Sequence, residues 1–243
     1  MTGAAIPEGR IVPIAGVDLR VEAGEHPWHA ANRAEVERHW EAERVSRPFL
    51  FNGRIVMHRG LTLLPDGRVA GASHVVPYAN LLYFLSRPNR EADIWHLFAT
   101  PVLVSCDGAV LLTRMSERTA NAGRIYSPSG SLDPDDIRDG ACDLDGNMAR
   151  EVREETGLDL DAARAEEGGF LHAERHVVSA FRRFRFDRPA AELAAEMTAH
   201  IAAEEDPEVV EAVIVRGPAD ITPAVPGYMA AMLHFHFGKD GGG

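Results

Sequence analysis

Cysteine is scarce. The 243 residues hold two, Cys106 and Cys142, too few for a disulfide framework and without zinc-ligand spacing, so both read as structural thiols of a reducing, cytoplasmic protein. No apolar run is long enough to span a bilayer. The start, Met1-Thr2-Gly3-Ala4-Ala5-Ile6-Pro7-Glu8, has neither a basic n-region nor an apolar h-region, which gives secretion no support. Cations are in the minority: 25 Lys and Arg face 37 Asp and Glu, a formal net charge of −12. That balance repels nucleic-acid backbones and anionic membranes and favours a small soluble ligand. Low-complexity sequence is also missing, and 45% hydrophobic residues describe a chain able to bury one large core, or one core with a smaller accessory unit.

The first part has short β-prone pieces (Ile11 to Ile14, Val17 to Val21) between Gly and Pro breaks, then a helix opened by Pro27 and running to about Val45, with Val36 and Trp40 inward. Two β runs, Ile55 to Met57 and Leu61 to Leu64, lead into the hairpin signal Pro65-Asp66-Gly67 and the strand Val69 to Val76, followed by a short helix from Tyr78 to Leu85. Residues 1–93 form a small α+β accessory unit on this reading, bounded by the polar segment Ser86 to Glu91. From Ile94 the pattern turns to strand and hairpin: Leu97 to Ser105, a turn at Asp107-Gly108, then Ala109 to Thr113. Further on, Phe181 to Phe186 alternates Phe184 and Phe186 against Arg183 and Arg185, Pro189 opens an Ala/Glu-rich helix, Val209 to Val215 is a buried strand, and Tyr228 to Phe237 a closing helix. The glycine end, Gly241 to Gly243, is expected to be disordered.

The sharpest feature is Arg150-Glu151-Val152-Arg153-Glu154-Glu155-Thr156-Gly157-Leu158. Helical spacing of three and four stacks Glu151, Glu154 and Glu155 on one side, where like charges repel. A cation must offset them. Hard divalent ions take carboxylate oxygens and keep water and phosphate as remaining ligands, so an open glutamate face suits phosphate chemistry. Val152 with Met148 gives the buried strip, Gly157 suits a left-handed helix end, and Asp143 a helix N-cap.

This nine-residue word resembles the C-terminal half of the Nudix box, Gly-x5-Glu-x7-Arg-Glu-(aliphatic)-x-Glu-Glu-x-Gly-(aliphatic), and fits it at every specified position. The first half departs from it. Gly130 is followed by Asp136 where the family has Glu, and thirteen residues instead of seven separate Asp136 from Arg150, so a six-residue surface insertion is placed over Ile137 to Cys142. Ser129 replaces the first glycine of the usual pair, whose carbonyl ligates metal in the family. A narrower similarity, to coenzyme A diphosphatases, lies in Leu111-Leu112-Thr113, Gly123, Pro128, Gly130 and Asp133-Pro134-Asp135-Asp136; Arg114 is displaced by one place from that pattern. The accessory unit is similar to that of UDP-sugar-hydrolysing relatives, without a quotable motif. The downstream proline of many ADP-ribose hydrolases is absent between Leu158 and Pro189.

The resemblance implies an α/β fold, a Nudix α/β/α sandwich with a mixed sheet over residues 94–240 behind the accessory unit. It implies Mg²⁺- or Mn²⁺-dependent hydrolysis of the pyrophosphate of a nucleoside diphosphate linked to another moiety, such as coenzyme A or a nucleotide sugar. Metal ligands would be Glu151, Glu154, Glu155 and the Ser129 carbonyl, with Arg150 orienting a glutamate. Glu204, then Glu208, are the expected bases beyond the box, Glu154 also acts in catalysis, and Arg183 and Tyr126 would bind substrate. The expected partners are a small-molecule nucleotide and no nucleic acid or membrane, with a homodimer compatible. The contrasting expectation is a catalytically silent Nudix fold that senses a nucleotide. His172 and His176 stand four apart, but the acid between them is misplaced for a zinc motif; His234 and His236 read as packed or exposed side chains.

Overall fold

The structure, a computed structural model, describes residues 3–88 and 93–238. Part of the segment Ser86 to Glu91 and the whole of Gly241 to Gly243 lie outside them. In chain order the elements are β1 (Ala4–Ala5), β2 (Ile11–Ile14), β3 (Gly16–Val21), α1 (Pro27–Ser46), β4 (Arg54–Leu63), β5 (Arg68–Pro77) and α2 (Ala79–Ser86). They continue with β6 (His96–Val104), β7 (Val110–Met115), β8 (Ile125–Tyr126), β9 (Ile137–Arg138), β10 (Ala141–Cys142) and α3 (Leu144–Thr156). Last come β11 (Ala163–Ala165), β12 (Gly169–Glu174), β13 (Val177–Phe186), α4 (Ala190–Ala203), β14 (Val209–Val215) and α5 (Gly227–Phe237).

Two mixed sheets result. One runs β1-β4-β5-β3-β10-β9, the other β14-β7-β6-β13-β12-β2. In the second, the parallel β6/β13 pair is flanked by antiparallel neighbours, and alternation along each strand sends side chains to opposite faces. Leu97, Ala99 and Leu103 go to the face covered by α3 and α4 through Met148, Val152, Leu193 and Met197. Val102, Val104, Val110 and Leu112 go to the face covered by α5 through Met229, Met232 and Leu233. This sheet between helices is the α/β/α sandwich.

The α5 cover explains the first correction. Arg183 shares the α5 side with Phe181, so the strand face expected to be basic and open is roofed over: Arg183 is 6% exposed, its guanidinium 3.1 Å from Glu166 and 5.0 and 5.5 Å from the ring centres of Phe170 and Phe235. Aliphatic stem and planar head are both held there.

Across residue 94, the boundary expected from sequence, strands pass in both directions. β2 edges the second sheet against β12, and β10 enters the first sheet against β3. The second correction follows from β10. Ile137 to Cys142 is no surface loop but a β9/β10 hairpin turning through Asp139 and Gly140 at φ 50° and 74°, a turn that favours glycine at its second position. Ile137 and Cys142 pack into the same apolar cluster as Leu19 and Val69 of the first sheet and Leu97 of the second.

Beneath this junction lie His26, His58 and His74, all buried. Burial, with His96, His26 and His74 as neighbouring positive charges, holds the His58 imidazole down to about 3. The folded state therefore resists a proton that the unfolded chain accepts near the ordinary value of 6.5. Stability is full above that value and falls as pH drops from there toward 3, by roughly 1.4 kcal/mol per pH unit for one such group. Urea unfolding at pH 7 and pH 5, compared between wild type and His58→Phe, should show a change on acidification that is less favourable in wild type by ~2 kcal/mol; the same change in both proteins would refute this.

Candidate functional site

α3 is fixed at both ends. Asp143 accepts a hydrogen bond from the Gly146 amide at 2.9 Å, and Gly157 ends the helix at φ 72°. Met148 and Val152 are buried; Glu151 and Glu155 flank that strip at helical spacing, and Glu154 stands outside it. The exposure of the glutamates is graded: the Glu154 side chain is 60% exposed and Glu151 12%, while one oxygen of Glu155, Oε2, is buried without a hydrogen-bond partner among the described residues.

Arg150 organises this face. Its guanidinium donates to both oxygens of Asp136 at 3.2 and 3.0 Å and to Glu154 at 3.1 Å, and lies 2.9 Å from Glu151. Asp136, standing where the box has glutamate, is itself buried, and accepts from Asn147 at 2.9 Å and from the Asp133 amide at 3.0 Å. A short carboxylate suits this inward position because it anchors the arginine fork in a charge-assisted network instead of reaching outward. Opposite, the 127–131 turn comes so close that a Cβ on Gly130 would lie 2.5 Å from Glu151 Oε1. A side chain there would push the Glu151 carboxylate aside, and its absence lets the backbone at Ser129 and Gly130 come up to the carboxylates; the Ser129 hydroxyl is turned to the Ser127 carbonyl at 2.9 Å.

Crowding shows in the titration behaviour. Burial first, with Glu154, Asp136 and Glu208 adding and Arg150 opposing, pushes Glu151 up to about 7. Glu155 is pushed well above the ordinary carboxylate range by burial, then by Glu151, Glu208, Glu154 and Glu204. Among the described residues no three His, Cys, Asp or Glu converge as a ready metal cage; Arg150 stands between Glu151 and Glu154 and holds their charge. The donor set nonetheless fits a hard divalent cation: carboxylate oxygens at unequal depth, an unsatisfied Glu155 oxygen, and a backbone turn pressed against Glu151.

The glutamates lie at the neck of a two-ended cleft. An acidic end of about 500 Å³ carries Arg150, Glu151, Glu154, Glu155, Glu204 and Glu208. The larger part, about 850 Å³, shares Glu151, Glu155 and Glu208 and extends past Tyr126 toward α2. Glu204 caps the C-terminus of α4 with its carboxylate 3.3 Å from His200, whereas Glu208 lines both ends. Tyr126 is buried, and its hydroxyl accepts from Asn121 at 3.2 Å, its phenol pushed up by burial. Arg183 is not brought to the cleft.

Sequence reasoning missed Arg54, Tyr78 and Tyr228. Arg54 opens β4 and lines the acidic end; among the described residues its guanidinium has no carboxylate partner, so it is a cation available to an anion. No sequence signal marks it, because it comes from the other sheet. Tyr228 begins the α5 helix expected from the sequence and meets Phe98 edge-on at 5.2 Å. His172 sits on a strand and His176 in the following turn, 4.2 Å from Trp95, which leaves no paired metal face.

No family model matches the sequence, and no curated protein does. Among solved structures the chain is similar to a MutT protein from Methanosarcina mazei Go1, at 21% identity, 58% of this chain, 91% of that one and a TM-score of 0.39. It is also similar to the Nudix hydrolase RenU from M. smegmatis (15% identity, 59% and 85% covered, TM-score 0.39). A Nudix hydrolase from Nitrosomonas europaea matches at 19% identity, with 50% and 72% covered and a TM-score of 0.30. At such identities and TM-scores the likeness decides nothing about activity.

Proposed function

We propose that the chain is a Nudix-type pyrophosphohydrolase that cleaves a nucleoside diphosphate linked to a second group. The observation that carries this reading is the Glu151/Glu154/Glu155 face, bridged by Arg150 to Asp136, at the neck of a cleft with room for a substituent on either side. Glu151, Glu154, Glu155 and the Ser129 carbonyl would hold Mg²⁺ or Mn²⁺. Such an ion, when bound, polarises phosphate oxygens and lowers the pKa of a water.

The chain's own groups supply the rest. Arg150 keeps Glu151 and Glu154 apart and aimed, and Arg54 meets a phosphate oxygen as a hydrogen-bond donor. In the reaction the water oxygen bonds to one phosphorus, the bond from that phosphorus to the bridging oxygen breaks, and the bridging oxygen leaves on the other phosphate. The water proton passes to a carboxylate. Glu208 is the base we favour over Glu204, because it reaches both Glu151 and Glu155 electrostatically and lines both ends of the cleft, whereas Glu204 is held by His200. Glu208→Gln should lower kcat by roughly 100-fold, and Glu204→Gln by no more than a few-fold; the reverse order would move the base to Glu204.

A Mg²⁺-dependent hydrolysis screen over coenzyme A, nucleotide sugars, ADP-ribose and dinucleoside polyphosphates tests the whole reading. Paired products, each ending in a phosphate, are expected from at least one class. Binding without turnover would instead establish a nucleotide sensor. We place the activity in the cytoplasm, acting on a soluble nucleotide; among the described residues no helix is long and apolar enough to cross a membrane.

A further inference from the structure

The two ends of the cleft differ in chemistry. Beyond the glutamate neck, the larger end is walled by Phe49 and Phe51 from the loop after α1, by Leu81 and Leu85 of α2, and by Phe98 of β6. Five large hydrophobics stand exposed among the described residues, and three of them, Phe49 at 43%, Phe51 at 83% and Leu85 at 38%, line this single concavity. Scattered exposed apolar side chains need no explanation, but a group gathered around a concave surface marks a binding site. The arginines there are already engaged, Arg47 with Glu43 and Arg118 with Asp206 at 2.6 Å. The polar groups of the same lining include Ser116, Thr119 and Asn121, which are in hydrogen bonds of their own, so a sugar laid against the aromatic and leucine wall desolvates hydroxyls there without partners, which opposes binding.

Resting on the hydrolase reading for the reaction itself, we propose that the group carried beyond the diphosphate is an apolar chain, of alkyl, isoprenyl or acyl type, and not a sugar. Continuity argues for substrate as the occupant: the apolar wall and the carboxylates belong to one cleft, so a diphosphate seated at Glu151 and Glu155 directs its substituent along Phe51 and Leu85. Shortening the chain removes contact only at this end. The apolar wall therefore acts on KM and on chain-length preference, and leaves the phosphorus chemistry to the neck.

The test compares the octyl and methyl esters of ADP with ADP-ribose, in kcat/KM, using wild type, Phe51→Ser and Leu85→Ser. The octyl ester should exceed both others by at least ~10-fold, and each substitution should shrink the octyl-to-methyl ratio several-fold through KM. Calorimetry with octyl diphosphate and no metal supplies a second readout, in which wild type binds more tightly than Phe51→Ser. Preference for ADP-ribose, or a ratio unmoved by both substitutions, overturns the proposal. So does a dimer by light scattering that Phe51→Ser dissociates without altering the ratio, because a second copy is then the occupant. If no ester is hydrolysed while octyl diphosphate still binds in a Phe51-dependent way, the hydrolase reading fails and the apolar subsite stands.

Discussion

Glu155→Gln should lower kcat at saturating Mg²⁺ by at least ~100-fold while leaving the fold at neutral pH as stable as wild type or slightly more so. The two halves of that expectation share one cause. Glu155 is buried near Glu151 and Glu208, its carboxyl is pushed well above its ordinary range, and among the described residues Oε2 has no hydrogen-bond partner. Without a cation the protonated acid is the comfortable form, and glutamine mimics it in shape and neutrality. A bound cation reverses the preference, since the carboxylate becomes a ligand and its burial is offset by the ion's charge. Thermal unfolding with and without Mg²⁺ separates the effects: the ion should raise Tm in wild type and much less in the variant. Glu154→Gln should lose activity to a similar extent with no change in Tm, because Glu154 is largely exposed and contributes little to packing. Activity of either variant within a few-fold of wild type would remove the metal assignment.

Much of this site was legible because its information is local. A helix stacks i, i+3 and i+4 whatever the rest of the chain does, so the acidic face of α3, its Asp143 cap and its Gly157 terminus follow from the thirteen residues of the helix and the one on either side. The alternation that sorts Phe184 and Phe186 from Arg183 and Arg185 is equally local, and the structure keeps it. What alternation cannot tell is which element covers a face. Only the return of α5 to the sheet makes Arg183 an interior residue paired with Glu166 instead of a phosphate ligand. Arg54, Tyr78 and the apolar wall reach the neck from the first sheet and its helices, by contacts spanning about a hundred residues of chain. No spacing rule carries that information. Asp136 lies between these cases. Its place in the box is visible from Gly130, but its inward turn toward Arg150 depends on the hairpin that follows it.

That hairpin gives the other large effect: deleting Ile137 to Cys142, which restores the usual box length, should yield an insoluble or largely unfolded protein. Chain closure is not the obstacle, because the Asp143 amide already meets the Asp136 carbonyl at 2.8 Å and the cut ends are adjacent. The loss lies in what the hairpin touches. β10 pairs with β3 at Ala141 and Arg20, the Val21 amide donates to the Gly140 carbonyl at 2.9 Å, and the Cys142 sulfur lies 3.7 Å from Ser73 Oγ. Removing the half-buried Ile137 and the buried Cys142 costs roughly 1–3 kcal/mol each, with lost strand pairing and an uncovered edge on β3 adding to it. A total of about 3–6 kcal/mol is a large share of the 5–15 kcal/mol that holds an ordinary domain together. Cys142→Ala, which keeps the pairing, should cost only ~1–2 kcal/mol in urea unfolding, so the pair of variants divides packing from strand addition. A deletion protein that unfolds at the wild-type urea midpoint would show that the hairpin is an ornament on the surface, and that the two sheets are held together by the remaining shared core around Leu19, Val69 and Leu97.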